Sequence, residues 1–319
     1  MKKLYSLLLA MIVAGGILAG CGSDSTEQNG QQTKESEQQA EFPVTIVDAS
    51  DQEVVIEEEP EKIVSLIPSN TEIAFELGLG EKVVGVSDFD NYPEEVNDKE
   101  KIGGQEFNVE KIISLDPDVV LAHNSGARNS EAGLEQLESA GIKVIIVNDA
   151  ANFEEVYESI KMIGQATGAS EEADELVNDL EEKLASIEKQ AKDITEDERK
   201  SVFVEISGAP EIYSAGQNTF INNMLELIHA DNVVTEEGWP KLDEESVIER
   251  NPDVIITTYG YYTDDAVGLV LKRNGWQDVT AIKNEQVVDV HSDKVTRTGP
   301  RLVEGVEELA KAIYPEVFK

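Results

Sequence analysis

The sequence predicts an α/β fold of two lobes, each carrying a parallel sheet, joined by one long α-helix. Three observations predict it. Short apolar runs alternate with helical patterns over about residues 63–167, and the same rhythm returns after residue 202. Between the two series lies a single long helical period. A fifteen-residue fragment of the first series also recurs in the second, 135 positions later.

The elements can be justified in order. Residues 1–20 open with Lys2 and Lys3, continue as an apolar stretch from Leu4 to Leu18, and end in small residues, the layout of a signal peptide. Leu18-Ala19-Gly20-Cys21 resembles a bacterial lipobox at every position, which implies a lipidated, acylated Cys21 as the first mature residue. Residues 21–41 hold no large apolar side chain before Phe42 and read as a flexible tether. Val44–Val47 and Val54–Ile56 flank Ser50-Asp51-Gln52 as a hairpin. An N-terminal lobe follows to residue 167, with strands at Ile63–Leu66, Val83–Val86, Val119–Ala122 and Val144–Val147. Its helices are expected at Thr71–Leu77, Val109–Ser114, Glu131–Ala140 and Phe153–Thr167.

Residues 168–197 form the linking helix. Ala173, Val177, Leu180, Leu184, Ile187 and Ala191 make a narrow apolar stripe in a field of Glu, Asp and Lys. About 25 residues would span roughly 37 Å, enough to cross both lobes. A short coiled-coil dimerisation helix is the rival reading of the same stripe. The C-terminal lobe, 198–319, has strands at Val202–Ile206, Val254–Thr257 and Val287–Val290. Helices lie near Phe220–His229, Glu245–Arg250 and Ala266–Arg273, with a closing helix over Arg301–Ile313.

Charge and composition exclude whole classes. The 319 residues include 65 acidic and 26 basic ones, a net charge of −39, which repels nucleic acid and anionic lipid. One cysteine allows neither an internal disulfide nor a cysteine-based metal site. His123, His229 and His291 are far apart, and no nucleophile elbow, phosphate loop or zinc-protease motif is present, so no enzyme is expected.

The repeat pairs Asn108–Ala122 with Asp243–Thr257. Five positions are identical: Glu110/Glu245, Ile113/Ile248, Pro117/Pro252, Asp118/Asp253 and Val119/Val254. Each copy reads as a short helix, an X-Pro stop and a buried strand.

Together with Lys62–Phe75, Gly85-Val86-Ser87, Gly141–Val144, Trp239-Pro240 and Thr296–Arg301, these stretches resemble the ABC-importer solute-binding lipoproteins for cobalamin and iron–siderophore complexes. The resemblance runs from about residue 61 to 315. It implies two Rossmann-like lobes, the class III periplasmic-binding-protein fold, with a metal chelate held in the cleft between them. The chelate is cargo: no resident cofactor or metal is expected. The implied partners are a permease dimer with its ATPase subunits, reached from the outer face of the cell membrane through the lipid anchor alone.

Carried over residue by residue, the resemblance nominates Ser69, Asn70, Phe89, Tyr92, Tyr213, Trp239, Arg297 and Arg301 as cleft residues. Gly104 and His123 stand where the cobalamin branch places further aromatics, and Tyr259, with Tyr261 and Tyr262, is a candidate to compensate. Glu110 and Glu245 match a pair that docks onto permease arginines, and the repeat gives an independent reason for two equivalent acidic contacts. Each residue has a plainer alternative: core packing for Phe89, Tyr213 and Trp239, a structural ion pair for Arg297 and Arg301, a solvated face for either glutamate. Cobalamin, a ferric siderophore and haem stay open as cargo. A free zinc or manganese carrier and an adhesin are the alternatives from other classes.

Overall fold

The structure is a computed structural model and describes residues 42–319. The signal peptide, Cys21 and the tether lie outside the described residues. No helix among the described residues is long and apolar enough to cross a membrane.

The first half alternates strand and helix. After the antiparallel hairpin of β1 (Val44–Val47) and β2 (Glu53–Ile56) come β3 (Ile63–Ser65), α1 (Pro68–Glu76), β4 (Val83–Val86), β5 (Glu100–Lys101), α2 (Val109–Leu115), β6 (Val119–His123), α3 (Asn124–Ser139), β7 (Lys143–Val147) and α4 (Phe153–Thr167). The sheet order is β5-β4-β3-β6-β7, all parallel. Helix α1 starts three residues earlier than the sequence pattern indicates, because Pro68 at its first turn has no N–H to leave unpaired. Helix α3 starts seven residues earlier: His123 accepts the Ser125 N–H and caps a first turn that composition alone reads as loop.

Helix α5 (Ser170–Ala191) separates the two sheets in sequence, and its whole predicted stripe is buried. Glu171 and Glu172 occupy its first turn, where the helix dipole favours anions. It lies tightly on α4: a Cβ on Gly164 would sit 2.5 Å from that of Ala173, so only glycine permits this approach.

The second half contains β8 (Ser201–Ser207), β9 (Ile212–Ser214), α6 (Phe220–Leu227), β10 (Asp231–Asn232), β11 (Lys241–Leu242), α7 (Glu244–Arg250), β12 (Val254–Thr257), α8 (Ala266–Leu271), α9 (Thr280–Lys283), β13 (Val287–Asp289), α10 (Ser292–Thr296) and α11 (Leu302–Ile313). Its sheet runs β11-β9-β8-β12-β13, with β10 beside the start of β8. This sheet is mixed. Strands β8, β10, β12 and β13 are parallel, whereas β9 pairs antiparallel with both β8 and β11. The short β9 and β11 escaped the sequence pattern because two or three residues carry no alternation to read.

One buried apolar cluster runs from Ile63 and Val119 through the stripe of α5 to Val202, Ile256 and the inner face of α11. Separate clusters fill the outer face of each sheet, under α2 and α3 in one lobe and under α7 and α8 in the other. The helix is therefore part of a continuous core and more than a rod between two bodies. Phe153 of α4 and Phe220 of α6 meet edge to face at 5.4 Å, closing that core between the lobes.

Candidate functional site

Parallel strands end together, and their loops create the concavity of an α/β protein at that edge. Here two pockets meet there. A larger one, about 630 Å³, lies within the N-terminal lobe beyond Leu66 and Ala122, walled by α3 and the Gly104–Val109 segment. A smaller one, about 260 Å³, lies between the lobes. Ile67–Ser69, His123 and Asp149–Ala151 form one side of it, and Asn218–Phe220, Trp239 and Val295–Thr298 form the other. Ile67, His123 and Ser125 line both pockets, so the two adjoin across these side chains.

The structure brings several of the predicted residues to this space. Ser69 lines the inter-lobe pocket from the first turn of α1. Trp239 lines it from the opposite lobe, half exposed at 53%. Phe89 lies at the larger pocket, 55% exposed, with its ring over Gly104, where a Cβ would come within 3.1 Å of it. A side chain at 104 would therefore press the Phe89 ring to shift by a few tenths of an ångström.

His123 sits where the two pockets adjoin, 8% exposed. Its Nδ1 lies 2.8 Å from Ser125 Oγ and accepts the Ser125 N–H at 3.3 Å. Burial pushes its pKa down, opposed by the nearby Asp149 carboxylate and the Asn148 backbone, so the ring is neutral at pH 7. A neutral imidazole and a flanking carboxylate offer the cleft a polar handle beside those of Ser69, Thr219 and Arg297.

Other predicted residues are placed elsewhere. Asn70 is buried and donates Nδ2–H to the Ala122 carbonyl at 2.9 Å, tying α1 to β6. Tyr213 is part-exposed on β9 and lines neither pocket. Tyr259 is corrected outright. It is 3% exposed, and its hydroxyl donates to Glu205, which also accepts two hydrogen bonds from Arg273 at 2.8 and 2.9 Å. Burial and the Glu205 charge push its phenol far above the usual range, so it serves the interior of the C-terminal lobe.

Arg301 is corrected as well. Its Nε and Nη2 donate to Glu72 at 2.9 and 2.7 Å, and its guanidinium lies 4.1 Å over the Tyr92 ring. Arg297 lines the inter-lobe pocket, yet its donors are also taken, by Glu72, Asn91 and the Phe89 carbonyl. Tyr92 is accordingly a stacking partner for Arg301. Glu72 was missed by sequence reasoning. The signal was present: an acid followed at once by the apolar Ile73-Ala74-Phe75 of a short helix, on an element that leaves it 1% exposed.

Glu110 and Glu245 are both exposed, each the second residue of its helix. Helices α2 and α7 run back against the strands they precede, so both glutamates lie at the strand-end edge where the cleft opens. Among the described residues no group of three His, Cys, Asp or Glu is arranged to hold a metal ion.

The profile of the periplasmic binding protein family matches residues 63–294, nearly the whole of both lobes. This chain belongs to the periplasmic binding protein family. This periplasmic binding protein is 50% identical over 320 residues, covering 100% of both chains, to the uncharacterized ABC transporter substrate-binding lipoprotein YvrC of Bacillus subtilis (strain 168). It is 31% identical to a cobalamin-binding protein of Halobacterium salinarum (strain ATCC 29341 / DSM 671 / R1), covering 97% of this chain and 84% of that one. Its fold superposes with a TM-score of 0.73 on the crystal structure of a possible iron-binding (periplasmic solute-binding) protein from Staphylococcus epidermidis ATCC 12228. That match has 38% identity and covers 81% of this chain and all of that one. Two α/β lobes, one with a parallel and one with a mostly parallel mixed sheet, joined by α5, make this a class III periplasmic binding protein.

Proposed function

We propose that this protein is the substrate-binding lipoprotein of an ABC importer, anchored through Cys21 at the outer face of the cell membrane and capturing a metal chelate in its cleft. Cobalamin or a related corrinoid is the first choice of cargo, and an iron chelate, either a ferric siderophore or haem, is the second. The observation that carries the reading is the pair of adjoining pockets at the strand ends, the inter-lobe one lined by Trp239 and the larger one by Phe89. A flat or bulky organic complex suits such walls, because aromatic faces bury a large apolar area without leaving polar groups unpaired. The full-length similarity to a substrate-binding lipoprotein and to a cobalamin-binding protein supports the same reading. A free metal ion would need converging ligands, which the described residues do not provide.

Binding is reversible capture without turnover, followed by delivery. Glu110 and Glu245, exposed at equivalent helix starts, are the contacts for two equivalent permease subunits. The test is a titration of Trp239 fluorescence with hydroxocobalamin, ferric hydroxamate, ferric catecholate, ferric citrate and haemin, beside free zinc and manganese. Saturation by one of the chelates is expected. A response to zinc or manganese alone would overturn the reading. Metabolic labelling with a palmitate analogue, lost in Cys21→Ala, tests the anchor.

A further inference from the structure

The two lobes are joined by covalent chain and common core, but a second connection lies on the cleft side. Glu72 projects from α1 of the N-terminal lobe and is 1% exposed. Both of its carboxylate oxygens accept from the C-terminal lobe: Oε2 from Arg301 Nε at 2.9 Å, and Oε1 from Arg301 Nη2 and Arg297 Nη1, each at 2.7 Å. Arg297 goes on to donate to Asn91 Oδ1 at 2.8 Å and to the Phe89 carbonyl at 3.2 Å. Asn91 in turn donates to Asp293 Oδ2 at 2.9 Å, and Asp293 lies 3.1 Å from Arg297. Two guanidinium groups are thus matched by two carboxylates, Glu72 and Asp293, with no charge left over.

We infer that Glu72 is the keystone of an inter-lobe clasp that sets the cleft width and holds the Phe89–Tyr92 loop over the pocket, so that Arg297 and Arg301 act on ligand affinity by positioning it. The reason is electrostatic. A buried ion pair adds little over an apolar substitute, but removing one partner strands a buried charge, which the molecule relieves by letting water in. Here the route for water is the cleft itself. The same arginine that reaches Glu72 also holds the backbone of Phe89, so opening the clasp releases the aromatic that faces the larger pocket. The N-terminal end of α1 carries Ser69 into the inter-lobe pocket one turn from Glu72, so width and side-chain placement change together.

The inference rests on the cleft being the ligand site, and the experiment separates the two. Amide hydrogen exchange is measured on the full-length protein in detergent, for the parent, Glu72→Gln, and Glu72→Gln combined with Arg301→Gln, which restores charge balance. Exchange in Glu72→Gln is expected to rise about tenfold or more at residues 88–92 and 297–301, with β6 and β12 unchanged. In the double variant the overall stability should return while the 88–92 segment stays loosened. Hydroxocobalamin, the probe for affinity, should bind Glu72→Gln roughly tenfold more weakly. A uniform rise in exchange, or none, would overturn the clasp, as would local loosening with unchanged affinity. If the parent protein binds no chelate at all, the proposed function falls, and the exchange pattern still decides the clasp.

Discussion

The two copies of the helix–proline–strand unit agree at one end and part at the other. At the agreeing end, Asn108 and Asp243 cap their helices by accepting from Lys111 N at 3.0 Å and Ser246 N at 2.7 Å. Asp116 and Asn251 then close them in the left-handed conformation ahead of Pro117 and Pro252. The two identical aspartates even play the same part: Asp118 Oδ2 accepts from Glu61 N and Lys62 N, and Asp253 Oδ2 accepts from Ser201 N and Oγ. Each carboxylate pins its strand to the start of the neighbouring one. At the parting end, β6 leads into His123 and the long α3, whereas β12 leads into Thr258, the buried Tyr259 and an exposed Tyr261–Tyr262 pair. What repeats is scaffold and the placement of one exposed glutamate; of what differs, His123 lines the cleft whereas Tyr259 is built into the interior of its lobe.

The comparison can be tested first at its like end. Glu110→Arg combined with Glu245→Arg should reduce uptake of the cargo by about tenfold or more with binding unchanged, since reversed charges repel a basic partner. Each single change should cause a similar partial loss. Uptake at the parent rate in the double variant would end the idea of equivalent docking contacts. At the unlike end, Trp239→Ala should weaken cargo binding by about 1–3 kcal/mol, read by calorimetry, without lowering the melting temperature, because Trp239 is exposed.

Smaller effects probe the scaffold. Asp118→Ala and Asp253→Ala should each cost about 0.5–1.5 kcal/mol in urea unfolding by removing the acceptor of the strand-start donors. Closely similar losses would sharpen the structural equivalence, and a loss confined to one would break it. The smallest effect concerns His123, whose counterpart in the repeat is Thr258. The native pKa of His123 is lowered, so the native state holds fewer protons than the unfolded chain just below about pH 6.5. Its contribution is therefore present above that pH and is lost as the pH falls toward the lowered native value. His123→Thr, copying the other lobe, should flatten the fall in stability just below about pH 6.5. An unchanged slope would assign the pH dependence to other groups.

The legible parts of the molecule were those governed by near neighbours in the chain. The apolar stripe of α5, the capped ends of α2 and α7 and the strand cores all depend on spacing of three, four or two residues, and each lies where its spacing places it. The site was legible only in outline. Arg297 and Arg301, four apart in an acidic chain, stand out in the sequence, but their partner Glu72 is more than 220 residues away. Tyr259 looks identical in sequence to an exposed neighbour such as Tyr261, yet one is 3% exposed and the other 74%.

The sequence by itself determined the alternation of elements, the repeat and the acidic surface, because periodicity, capping and net charge are local or additive properties. That both arginines face one buried carboxylate was decided by the tertiary structure alone. Desolvation and ion pairing depend on what the fold carries to within about 3 Å of a side chain, and no spacing rule along the chain encodes that distance.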